Sequence, residues 1–192
     1  KWNGSCFGIA AANALAFSYK NQFQNKYPNF PVFTSPITVT SNAGVKKVVN
    51  ELFSHQFGGP STSNDALKLN IITPSGTIDE LKLMLKEDIA SPKTLSIMNN
   101  NGAGGHTILA YGLQHDSLQN NLYYINVYDN SNPNSNNPIT VNLSANGGNG
   151  SWSTPDWSTW GGSKNIYLEI VASNYLNNAT LVKSLNDQSP FL

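Results

Sequence analysis

The run from Cys6 to Tyr19, CFGIAAANALAFSY, is rich in Ala and apolar on nearly every side. A helix with one apolar stripe lies on a surface, whereas one that is apolar all round has to be enclosed. The rest of the chain must therefore wrap this segment. Gly4 supplies a turn and Ser5 an N-cap, which places Cys6 in the first helical turn. With 192 residues the chain is long enough for one domain with a sizeable core.

Beyond that helix the pattern changes twice. The stretch from Asn21 to Gly44 carries Pro28, Pro31 and Pro36 with alternating Val and Thr, and reads as loops with a short extended piece. Val45 to Phe53 has helical spacing ended by Phe57-Gly58-Gly59-Pro60, and Ser63 to Leu69 reads as a further short helix. Thr77, with Glu80 three positions on, resembles a capping box opening a helix through Leu81, Leu85 and Ile89. After Pro92 come short β-branched and aromatic runs: Thr94 to Met98, Thr107 to Leu113, Leu122 to Tyr128, Ile139 to Leu143 and Ile166 to Val171. A mainly helical lobe over 1–92 followed by a mainly β lobe over 93–192 is an α+β arrangement in a single domain.

Composition excludes several functions. Eleven basic and eleven acidic residues balance, and every basic residue is Lys, so no cationic face for nucleic acid is expected. Charged residues make up only 11% and Asn about one residue in seven, so amides and hydroxyls supply much of the wet surface. That balance fits a secreted or cell-surface protein. So do the glycosylation sequons at Asn3, Asn142, Asn149 and Asn178, although an Asn-rich chain meets that pattern by chance. No apolar run is long enough to span a bilayer. A single Cys permits no internal disulfide, and three His make a Cys/His zinc site hard to assemble. Asp129-Asn-Ser-Asn-Pro-Asn lacks the glycine and terminal glutamate of a calcium loop, and no glycine-rich loop leads into a helix to hold phosphate. No metal or cofactor is expected.

Cys6 is thus a free thiol needing a reason. A thiol attacks carbonyl carbon as the thiolate, and a helix N-terminus favours that anion. His106 is the best base: it follows Gly102-Ala-Gly-Gly105 and begins an apolar strand, whereas His55 and His115 lie in polar helical or turn contexts. Asp129 ends the next strand, so an antiparallel meander brings it to His106 as the group that orients the imidazole; Asn130 could serve instead. Each residue also has a plainer reading: Cys6 as a small buried hydrophobe, His106 as structural, Asp129 as turn chemistry. Trp152, Trp157 and Trp160 read as cover for a core edge.

Gly4-Ser5-Cys6-Phe7 resembles the nucleophile motif of papain-like cysteine proteases. Gly105-His106-Thr-Ile-Leu-Ala-Tyr-Gly112 resembles their histidine strand, and Ile125-Asn-Val-Tyr-Asp129 the strand carrying the third residue. The Asp version is closest to the bacteriocin-processing (C39-like) branch. A closing strand preceded by Trp157 and Trp160 is similar to the end of that fold, and the middle of the chain matches nothing in it. The resemblance implies a papain-like fold in which a buried helix carrying Cys6 packs on an antiparallel half-barrel carrying His106 and Asp129. It implies a cysteine peptidase acting on peptide or protein substrates through a thioester, with Cys6, His106 and Asp129 as the triad. The family has Trp or Tyr where this chain has Phe7, and Cys where it has Asn3. Its oxyanion glutamine would fall before Lys1, which leaves three readings: a piece of a larger surface protein or processed precursor, a different oxyanion donor, or a chain that is not a competent enzyme. Two other functions share these residues: acyl transfer of the transglutaminase type, and a non-catalytic binding or adhesion module.

Overall fold

Among the residues described by the computed structural model, 5–30, 42–55, 71–86, 93–99, 104–171 and 173–176, four α-helices precede seven β-strands. Helix α1 (Cys6–Ser18) is buried without interruption from Phe7 to Ala16, as its uniformly apolar sequence requires. Burying each large side chain such as Phe7 or Leu15 contributes about 1.5–3 kcal/mol. Gly8 sets how closely its neighbour approaches. A Cβ there would lie 2.2 Å from the Val49 carbonyl oxygen of α3 (Ala43–Ser54). Helix α3 turns Val45, Val48, Val49 and Leu52 inward at helical spacing, and Asn42 caps it by accepting from the N–H groups of Gly44 (2.9 Å) and Val45 (3.1 Å).

Two local expectations are corrected. Residues 21–26 are not loop but most of helix α2 (Lys20–Lys26). Its Asn/Gln-rich sequence is held by Phe23, which is fully buried and packs edge-on against Tyr27 and Phe30 at 5.1 and 5.2 Å. Tertiary packing overrides weak local propensity there. Thr77 does not cap α4 (Pro74–Lys86), which starts three residues earlier with Pro74 in its first turn; Thr73 caps it, its hydroxyl accepting from the Gly76 N–H (3.2 Å). Thr77 is instead buried inside the helix, and its hydroxyl donates to the Ile166 carbonyl at 2.8 Å. The short helix expected over 63–69 and the stop at 57–60 lie outside the described residues.

The strands β1 (Lys93–Met98), β2 (Gly105–His115), β3 (Leu122–Tyr128), β4 (Ile139–Asn142), β5 (Ser151–Ser153), β6 (Gly161–Gly162) and β7 (Ile166–Ile170) form one antiparallel sheet. Its order is β6-β5-β4-β3-β2-β1-β7, so the last strand returns to pair with the first. The sheet curls into a half-barrel around Leu95, Ile97, Ile108, Ile125, Val141 and Leu168, closed by Ile78 and Leu81 of α4. Its other face meets α1: Leu109 packs into the core that α1, α2 and α3 share with Val171, Tyr175 and Leu176. Strand β1 is consequently buried on both faces from Thr94 to Ile97. No described helix is long and apolar enough to cross a membrane.

Candidate active site

Cys6 is the first residue of α1. The Ile9 N–H makes the first helical hydrogen bond, to the Ser5 carbonyl at 3.0 Å, so the amides of Cys6, Phe7 and Gly8 precede the ladder at the positive end of the helix dipole. Ser5 does not cap as expected: its backbone, at φ −90° and ψ 12°, is not extended, and its side chain makes no capping bond. The Cys6 side chain remains partly exposed. Burial pushes its thiol up, but the His106 imidazole and the N–H groups of Thr107 and Phe7 outweigh this and hold it below its ordinary value.

His106 is the second residue of β2, and Asp129 directly follows β3. The two strands pair with Leu109 opposite Tyr128. One step further, Asp129 faces the position of Ile108, two residues from His106 and on the same side of the sheet. The imidazole Nε2 lies 2.7 Å from Asp129 Oδ1, and the two side chains are 6% and 5% exposed. Burial alone would depress the imidazole's pKa; Asp129 and Cys6 together reverse this and raise it to about 9. Burial likewise works against the Asp129 carboxylate, yet His106, the Ser131 N–H and the Trp157 indole hold it below the usual carboxylate range. The three shifts point the same way: each favours the charged form of its group, the thiolate, the imidazolium and the carboxylate. With Nε2 engaged by Asp129, Nδ1 is the ring nitrogen left for the thiol proton.

The role of Trp157 is not legible in the sequence, where it reads as core cover. It sits in a 3-10 turn (Pro155–Trp157) and donates from Nε1 to Asp129 Oδ2 at 3.1 Å, while its ring lies 4.8 Å from that of His106. It therefore occupies the second oxygen of the carboxylate and shields the His–Asp bond from water. Trp160 packs on it at 4.8 Å. Asp156 fixes the same turn by accepting from the Ser135 hydroxyl (2.6 Å) and the Asn137 amide (2.8 Å). The cue available beforehand was a Trp directly after a Pro-Asp pair, a turn-forming dipeptide.

Other candidates stand apart. Asn130 is not the partner of His106: it is 1% exposed and its side-chain amide has no hydrogen-bond partner. His55 is buried at the end of α3, stacked 4.4 Å from Tyr175, and desolvation holds its pKa down. His115 ends β2, with Nε2 2.9 Å from the Asn120 carbonyl oxygen. Two surface hollows, one around Gln119 and Asn142 and one around Tyr27 and Val48, touch none of Cys6, His106 or Asp129. Among the described residues no group of three or more His, Cys, Asp or Glu side chains could hold a metal ion. Residues 1–4 and 100–103, with Asn3 and the first half of the Gly102–Gly105 run before His106, lie outside the described residues. Compared with known proteins, the chain matches no family model, no curated protein and no solved structure.

Proposed function

We propose that this chain is a papain-like cysteine hydrolase that cleaves peptide amide bonds with Cys6 as nucleophile, His106 as acid and base, and Asp129 as the group that orients His106. The observation that carries the reading is the buried His106–Asp129 bond, covered by Trp157, beside a partly exposed thiol at a helix N-terminus. Each part answers a requirement of the chemistry. The helix end and the imidazolium favour the thiolate, which attacks the carbonyl carbon to give a tetrahedral oxyanion. The Cys6 N–H is one donor to that oxyanion. His106 then protonates the leaving nitrogen, the C–N bond breaks, and an acyl thioester remains on Cys6. His106 next takes a proton from water as it attacks the thioester, releasing the acid and restoring the thiol pair.

The helix packed on an antiparallel half-barrel, with Cys, His and Asp in that order, supports the papain-like assignment and its bacteriocin-processing branch. Asn142 and Asn149 are exposed and could carry glycans, which fits a secreted or cell-surface location. The test is hydrolysis of a mixed fluorogenic peptide library by the chain and by Cys6→Ala. Thiol-dependent cleavage lost in the variant is the expected result, and cleavage surviving it would sink the mechanism. Incorporation of a primary amine in preference to hydrolysis would reassign the chemistry to acyl transfer. A Cys6 inert to alkylation would reassign the chain to a binding module.

A further inference from the structure

The hydrolase reading leaves one buried acidic side chain unused. Glu169 of β7 is 3% exposed and accepts a very short hydrogen bond from the Ser96 hydroxyl of β1. Ser96 Oγ in turn lies 2.7 Å from Thr107 Oγ1 of β2. A hydroxyl has one proton, so with Ser96 donating to the carboxylate, Thr107 must donate to Ser96. The chain thus runs in one direction across three adjacent strands. Ser96 and Thr107 are direct cross-strand partners, themselves 4% and 3% exposed. Glu169 faces Thr94, one step diagonally from Ser96 on the same side. That side is the one covered by α1, because Leu109, two residues along from Thr107, packs into the α1 core.

Its place in the strand gives the row a purpose. The β1–β2 ladder ends two residue pairs beyond Ser96 and Thr107, at Met98 and Gly105. Glycines supply no side chain to pin the start of β2. Yet His106 must meet both Cys6 and Asp129 there, and the next amide, that of Thr107, favours the thiolate. We propose that Glu169, Ser96 and Thr107 form a buried positioning row that fixes the start of β2, so that the Thr107 N–H and the His106 ring stay aligned on the Cys6 sulfur. The three side chains act through one another and through the β2 backbone, as positioning residues. The proposal rests on the hydrolase reading above.

The experiment is the pH dependence of Cys6 alkylation by iodoacetamide in the wild type, Thr107→Val, Ser96→Ala and the conservative Thr107→Ser, each checked for folding by circular dichroism. Loss of the row is expected to raise the midpoint by about one pH unit in the Val and Ala variants, with Thr107→Ser restoring it. A folded Thr107→Val with the wild-type midpoint would overturn the row while leaving the hydrolase reading intact. An ordinary thiol midpoint in the wild type would overturn the hydrolase reading and the row with it. If neither variant folds, hydroxyl proton exchange in the wild type decides: protected Ser96 and Thr107 hydroxyls support the row, and rapidly exchanging ones refute it.

Discussion

Replacing Asp129 with Asn removes the charge that His106 relies on while keeping the shape of its partner. Holding the imidazole near 9 rather than at 6.5 corresponds to roughly 3 kcal/mol in favour of the charged ring, at about 1.4 kcal/mol per pH unit. Asp129 is the larger of its two partners, so the substitution is expected to lower the His106 midpoint by at least about one pH unit. The same change leaves an amide that can present its N–H to Nε2 and favour the wrong tautomer, so kcat/KM should fall by about 10²–10⁴. The sign follows from linkage. A raised His pKa contributes stability fully present below about 6.5 and lost as pH rises through about 9. The depressed Asp129 carboxylate contributes stability present above the ordinary carboxylate value and lost as pH falls through its folded value. The stabilisation from the His106–Asp129 pair is thus greatest between the ordinary carboxylate value and about 6.5. The assay is an NMR titration of the His106 ring protons in wild type and variant, alongside peptide hydrolysis. A wild-type midpoint at or below 6.5, or one that Asp129→Asn does not lower, would refute the reasoning.

Three further outcomes are expected. Trp157→Phe keeps the ring over His106 but loses the indole donor to Asp129; kcat should fall about tenfold with KM little changed, and an unaltered kcat would remove Trp157 from the site. Gly8→Ala drives a Cβ to 2.2 Å from the Val49 carbonyl, so α1 and α3 must separate, at a cost of about 1–3 kcal/mol in urea unfolding; a neutral result would contradict that packing. Thr77→Val leaves the Ile166 carbonyl without its buried donor and should cost about 1–3 kcal/mol while folded protein retains its activity; a stability change near zero would contradict the α4–β7 tie.

How much of this was legible depended on whether a feature is local. The enclosed helix could be read from Cys6 to Tyr19 because an all-round apolar surface admits one environment, and five strands could be read from runs such as Leu122 to Tyr128 because β-branched and aromatic residues suit a pleated surface. Strands β5 and β6 were not legible. Ser151–Ser153 offers one apolar residue, and Gly161–Gly162 pairs with it without side chains, approaching so closely that a Cβ on Gly161 would lie 2.5 Å from the Trp152 carbonyl oxygen. Thr77 was misplaced because a capping pattern is short and the preceding Pro74 is an equally good helix start. At the site, Cys6, His106 and Asp129 could be nominated because helix ends and strand ends are visible locally. Trp157 and the Glu169–Ser96–Thr107 row could not, since their contacts depend on tertiary approach and strand register.

The central claim is that Cys6 carries the acyl group during turnover. Acid-quenching the chain with a peptide ester and weighing the intact protein tests it directly. The account predicts a mass increase equal to the acyl group, mapped to Cys6, that accumulates in the wild type and is absent in Cys6→Ala. Ester turnover with no adduct on Cys6, continuing at the wild-type rate in Cys6→Ala, would contradict it.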